Sequence, residues 1–143
     1  MLKTIPPVIG PDLLWAIAAM GHGDQLVIAD RNYPAHSGPS RTLEALGVDT
    51  TTFIESLLQL FPVDDFVSPE AFAMVPDEGA EEAYESHRSA TQLISRAENR
   101  PVELARVPRT KFYDLARSSF ATVITSDARP YSCFILVKGV VRS

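Results

Sequence analysis

Cys133 is the only cysteine in a chain of 143 residues, which excludes an internal disulfide and any thiolate-rich zinc site. Positive charge is scarce as well: 13 lysines and arginines against 18 acidic residues leave a net charge of −5. Phosphate backbones and anionic lipids require a cationic field that this balance does not supply. Neither nucleic acid nor a membrane surface is therefore an expected partner. No stretch approaches the ~20 apolar residues of a membrane span. The amino terminus, Met1-Leu2-Lys3-Thr4-Ile5-Pro6-Pro7, lacks the uninterrupted apolar run of a secretion signal, and a cytoplasmic location is expected. Phosphate-binding loops are missing too: Gly21-His22-Gly23 has no third glycine at the dinucleotide-fingerprint spacing, and no glycine-rich loop ends in Lys-Ser or Lys-Thr. His22, His36 and His87 lack the helical spacing of a metal pair. No serine sits in a nucleophile elbow, so no metal and no cofactor is expected.

What is present is ordinary globular composition, 45% hydrophobic and 22% charged, in a length that suits one domain over residues 1–143. Pro11 suits the first turn of a helix, in which Leu13, Leu14, Ile17 and Met20 form one apolar face before Gly21 ends it. Gln25 to Asp30 reads as a buried strand. Arg31 to Val48, with Pro34, Gly38, Pro39 and Gly47, reads as a long loop. A helix follows from Thr50 or Thr51, either serving as its cap, to Phe61, and Pro62 stops it. Phe66 to Val75 predicts an irregular strand, since Pro69 cannot donate to a ladder. Gly79 to Asn99 predicts a polar outer helix with His87 toward solvent, and Val102 to Val107 a short strand. The last helix starts at Arg109, and Phe112, Leu115, Ala116 and Phe120 form its buried stripe. Ala121 to Thr125 and Ser132 to Val137 predict two strands whose short link favours an antiparallel hairpin. Such alternation belongs to layered α/β folds.

One element places chemistry at both ends. His22 stands before the strand Gln25 to Asp30, and Asp30 closes it where open α/β sheets hold their ligands. The structural alternative is a histidine that caps helix carbonyls and a polar residue that ends a strand. Polar company for a neutral-pH acid/base set comes from Asp64, Arg109, Tyr113 and Tyr131. Cys133, flanked by strand residues, reads locally as a small core hydrophobe.

Several segments resemble a known family along nearly the whole chain: Met1-Leu2-Lys3-Thr4-Ile5, Met20-Gly21-His22-Gly23-Asp24, Asp30, Pro34-Ala35-His36-Ser37, Phe112-Tyr113, Phe120-Ala121, Val123-Ile124-Thr125, Tyr131 and Lys138-Gly139-Val140. The chain is similar to the D-ribose pyranase and L-fucose mutarotase family, and Gly-His-Gly-Asp with arginine at 109 resembles its fucose branch. The resemblance implies a single-domain three-layer α/β/α fold with a central mixed sheet, assembled as a ring-shaped homodecamer with monosaccharide sites at subunit interfaces. It implies His22 as the acid, Tyr113 and Tyr131 as site hydroxyls, and Asp30, Asp64 and Arg109 as sugar contacts. Where the family carries Tyr-Gly-Asn or Tyr-Ala-Asn, this chain has Tyr131-Ser132-Cys133. Cys133 would then meet the sugar with a weakly bonding thiol in place of an amide. The activity implied is interconversion of the anomers of L-fucose or a related sugar through the open-chain aldehyde. Imidazole, with a reference pKa of about 6.5, suits such acid/base work. The alternative is a sugar-binding accessory or regulatory protein that does no chemistry.

Overall fold

A computed structural model describes residues 1–142. Among these residues the chain forms α1 (Pro11–Ala19), β1 (Gln25–Ala29), a 3₁₀ turn (Ala35–Ser37), β2 (Arg41–Ala45), α2 (Thr50–Leu57) and β3 (Ala71–Val75). It continues with α3 (Glu85–Glu98), β4 (Ala105–Pro108), α4 (Arg109–Ala116), β5 (Ala121–Thr125) and β6 (Phe134–Val137). No helix among the described residues is long and apolar enough to cross a membrane.

All six strands join one sheet in the order β2-β5-β1-β6-β3-β4. β1 runs parallel to β5, β5 to β2, and β3 to β4, whereas β6 is antiparallel to both β1 and β3. Both faces are covered, giving three layers and the expected mixed α/β/α sheet. Leu26, Ile28, Val123, Phe134 and Leu136 face one core with Leu13, Ile17, Phe53, Leu57 and Ile94 from α1, α2 and α3. Val27, Ala29 and Ile135 face the other, closed by Phe112 and Ala116 of α4. Burial on both faces is why β1 reads as an unbroken apolar run instead of an alternating one.

Several expected elements differ. The long loop from Arg31 to Val48 contains β2, an edge strand parallel to β5 whose exposed Arg41 and Glu44 hide the apolar signal and blunt the free edge. β5 and β6 do not form a hairpin, because β1 lies between them. Their link crosses the end of β1, where the Arg31 amide donates to the Asp127 carbonyl at 3.0 Å. β3 starts only at Ala71, beyond Pro69, and Phe66 and Val67 are exposed. α3 starts at Glu85, six residues later than Gly79, and His87 on it is buried at 4% exposure. It packs on the ring of Phe134, with centroids 5.5 Å apart, because the first turn of α3 faces the sheet.

The cap of α2 is Asp49, which accepts from the Thr52 amide at 2.7 Å. Thr50, expected as a cap, is buried and gives its amide at 2.9 Å and its hydroxyl at 2.7 Å to Asp127 Oδ2. Asp127 also accepts from the Arg129 guanidinium at 2.8 Å. Burial pushes its carboxyl up, but the bonds from Arg129 and Thr50 outweigh that and hold it well below the usual carboxylate range. This stabilisation is fully present above the unfolded carboxylate pKa of ~3.9 and is lost as pH falls toward the depressed folded value. Asp127→Asn is expected to cost about 2 to 3 kcal/mol at neutral pH and to flatten the acid limb of stability. Urea unfolding from pH 3 to 7 measures both, and equal stability of the two proteins throughout would refute the assignment.

Candidate functional site

Five strands point one way, so their carboxyl ends share one edge of the sheet with the start of the antiparallel β6. That edge gathers Asp30 from the end of β1, Tyr33 from the turn after it, Tyr131 and Cys133 from the strap entering β6, and Arg109 and Tyr113 from α4. The rings of Tyr33 and Tyr113 meet edge to face with centroids 5.5 Å apart. The Arg109 guanidinium stands 5.6 Å from the Tyr113 ring and 3.4 Å from Asp77 Oδ2. Asp77 caps α4 in turn, accepting from the Thr110 amide at 2.9 Å. A cavity of about 170 Å³ opens between Tyr33, Tyr113, Arg117 and the loop from Pro34 to Ser40.

Asp30 is buried at this edge. Burial pushes its carboxyl above the usual range, against hydrogen bonds from the Asn32 amide at 2.9 Å and the Cys133 thiol, while the charge of Asp127 adds to the rise. Cys133 is 1% exposed, and burial holds its thiol well above the ordinary value. It lies beneath the edge as a partner of Asp30.

His22 occupies the opposite edge. Its turn is fixed by the Gly21 amide donating to Asp24 Oδ2 at 2.7 Å and by Gly23 donating to the Lys138 carbonyl at 2.9 Å. Lys138 Nζ donates to the carbonyls of Ile17 at 2.7 Å and Met20 at 2.6 Å, closing the carboxyl end of α1 just before that turn. His22 Nε2 lies 2.8 Å from Asp64 Oδ1. A carboxylate only accepts, so Nε2 donates to it. The imidazole is 42% exposed and the Asp64 carboxyl 1%, so Asp64 sits beneath His22 instead of opening to a ligand. Gly139 permits this: a Cβ there would lie 2.8 Å from Asp64 Cα. The exposed Phe66 ring stands 4.7 Å from the imidazole.

The seven expected site residues therefore form two groups. Asp30, Arg109, Tyr113, Tyr131 and Cys133 share one edge, and His22 with Asp64 the other. β1, five residues long, separates them by ~17 Å. The expectations from sequence did not include Tyr33 and Phe66, although each follows an expected residue closely in the chain, nor His87, whose polar helix gave no hint of a buried turn.

The model of the RbsD / FucU transport protein family matches residues 3–141. The chain belongs to this family. The L-fucose mutarotase of Actinobacillus pleuropneumoniae serotype 5b (strain L20) is 37% identical over 142 residues, covering 98% of this chain and 97% of that protein. Among solved structures, FucU from Bifidobacterium longum superposes with a TM-score of 0.91 at 33% identity, over 98% of this chain and 100% of that one. The fucose mutarotase from Streptococcus pneumoniae in complex with L-fucose gives a TM-score of 0.91 at 33% identity, over 99% of this chain and 100% of its own. Both superpositions share the mixed α/β architecture, so the RbsD / FucU fold extends over both groups of site residues.

Proposed function

We propose that this protein is a monosaccharide mutarotase acting on L-fucose or a related sugar, with each working site built from the two opposite edges of neighbouring copies. One observation carries the chemistry: a half-exposed imidazole fixed through Nε2 by a buried carboxylate. The L-fucose mutarotase relatives and the L-fucose complex support the sugar class. A five-residue strand between the groups argues for completion by a second copy, since one monosaccharide does not bridge ~17 Å. A heterologous contact whose rotation closes makes a ring, for which ten copies remain the expectation, in the cytoplasm.

In this reading Asp30 and Arg109 hold sugar hydroxyls by charge-assisted hydrogen bonds. The imidazolium of a neighbouring copy gives its Nδ1 proton to the ring oxygen. The bond from that oxygen to the anomeric carbon breaks as the anomeric hydroxyl loses its proton through Tyr131 or Tyr113 to water, leaving the open-chain aldehyde. Rotation about the adjacent carbon–carbon bond and the reverse proton transfers close the ring on the other face, so the chemistry is balanced without a cofactor. Asp64 acts here by holding the imidazole, not by touching the sugar. Asp64→Asn, which disturbs the tautomer, is expected to lower anomer exchange by roughly 10²-fold with sugar affinity preserved; unchanged exchange would remove Asp64 from the mechanism.

Magnetisation exchange between α and β anomers, with and without the protein, tests the proposal across L-fucose, D-ribose and D-galactose. Faster exchange of L-fucose or a related sugar is expected. Binding without faster exchange would make the protein a sugar-binding accessory, and neither effect would end the sugar reading.

A further inference from the structure

We propose that the start of α3 is a positioning device for Tyr131: Tyr84, Ser86 and His87 hold the Tyr131-Ser132 strap so that the Tyr131 hydroxyl keeps its place in the site. This rests on the mutarotase reading and adds to it residues that act only through Tyr131.

Tyr131 has a φ of 58°, in the left-handed region that a side-chain-bearing residue keeps only when its surroundings hold it there. Three contacts do so, all from the beginning of α3. His87 Nε2 lies 2.7 Å from the Tyr131 carbonyl oxygen; a carbonyl only accepts, so Nε2 donates. Burial holds the His87 imidazole below its ordinary value, against the pull of that carbonyl and with Arg106 adding to the fall, so the ring is neutral near pH 7. The Ser132 hydroxyl donates to the Ser86 hydroxyl at 2.8 Å, with both residues buried. The Tyr84 ring stacks on the Tyr131 ring, with centroids 5.6 Å apart and planes 29° apart, and meets the His87 ring at 5.1 Å. Two polar pairs among largely buried residues cost desolvation that apolar side chains would avoid. What they add is direction: a carbonyl and a hydroxyl on adjacent residues are fixed from one rigid helix turn.

The test compares His87→Leu, His87→Gln and the wild type by anomer magnetisation exchange and by sugar affinity. Leucine fills the space without donating; glutamine can place an amide N–H near the former Nε2. If the clamp positions Tyr131, His87→Leu lowers kcat and kcat/KM together by about tenfold, because a small displacement of a reacting group is costly. His87→Gln recovers most of that loss, and sugar affinity stays near the wild-type value. If His87→Leu does not fold, the double variant Ser86→Ala with Ser132→Ala, which removes both hydroxyls at once, carries the same kcat readout. A folded variant with a lower Tm but an unchanged kcat means that the clamp is only structural and overturns the proposal. A wild-type protein that exchanges no sugar overturns the mutarotase reading itself and this proposal with it.

Discussion

His22→Gln is expected to bring anomer exchange down by about 10²- to 10⁴-fold, the range that acid/base catalysis contributes, while keeping the fold and the sugar affinity. The amide can still donate to Asp64 Oδ1, now bonded by His22 Nε2 at 2.8 Å, but it carries no proton that exchanges near neutral pH. His22→Ala should lose exchange equally and stability as well. It leaves a carboxyl that is 1% exposed without its donor, a loss of about 1 to 3 kcal/mol. The pair of variants separates proton transfer from support of the fold. Exchange by His22→Gln at the wild-type rate would remove the histidine from the mechanism, whatever the alanine variant does.

Mixing two inactive variants should restore activity. His22→Gln copies retain the Asp30 edge, and Asp30→Asn copies retain the His22 edge. When equal amounts of the two are unfolded together and reassembled, about a quarter of the contacts between copies unite an intact His22 with an intact Asp30, independent of ring size. About a quarter of the wild-type rate is the expected recovery, measured by magnetisation exchange on the sugar that the wild type accepts. Each variant reassembled alone should stay inactive. A site contained in one copy predicts no recovery at all, so a mixture as inactive as its components would refute the two-copy site. The Asp30 substitution is suited to this test. Burial raises the Asp30 carboxyl above the usual range, so the folded state disfavours its charge; stability tied to the neutral form is present below the unfolded pKa and lost as pH rises through the folded one. A neutral asparagine avoids that loss and should fold at least as stably near pH 7.

Much of the molecule was legible from near neighbours in the chain. The apolar run of β1, the helix from Pro11, the stripe of Phe112, Leu115 and Ala116 on α4 and the runs of β5 and β6 are local patterns, set by side-chain period and by the residues that start or stop an element; Phe120, expected in that stripe, lies beyond α4 and packs against the other core. β2 was not legible, because an edge strand with Arg41 and Glu44 exposed carries no apolar run. The hairpin expected from β5 to β6 failed for another reason: a short link limits how far two strands stand apart but does not forbid a third strand, already formed, from lying between them.

The same division holds for the site. The sequence by itself determined that His22 and Asp30 stand at the two ends of one strand, and with it the family to which the chain belongs. Tertiary structure alone decided how they are partnered. Asp64 reaches His22 across 42 positions in the chain, and His87 reaches the Tyr131 carbonyl across 44. No local period encodes contacts that distant; they arise where the end of β6 passes against Asp64 at Gly139 and where the first turn of α3 packs on the sheet. The separation of the two groups has the same origin, since a strand is a rigid spacer: the five residues of β1 that bring His22 and Asp30 close in sequence hold them at opposite edges of the folded sheet.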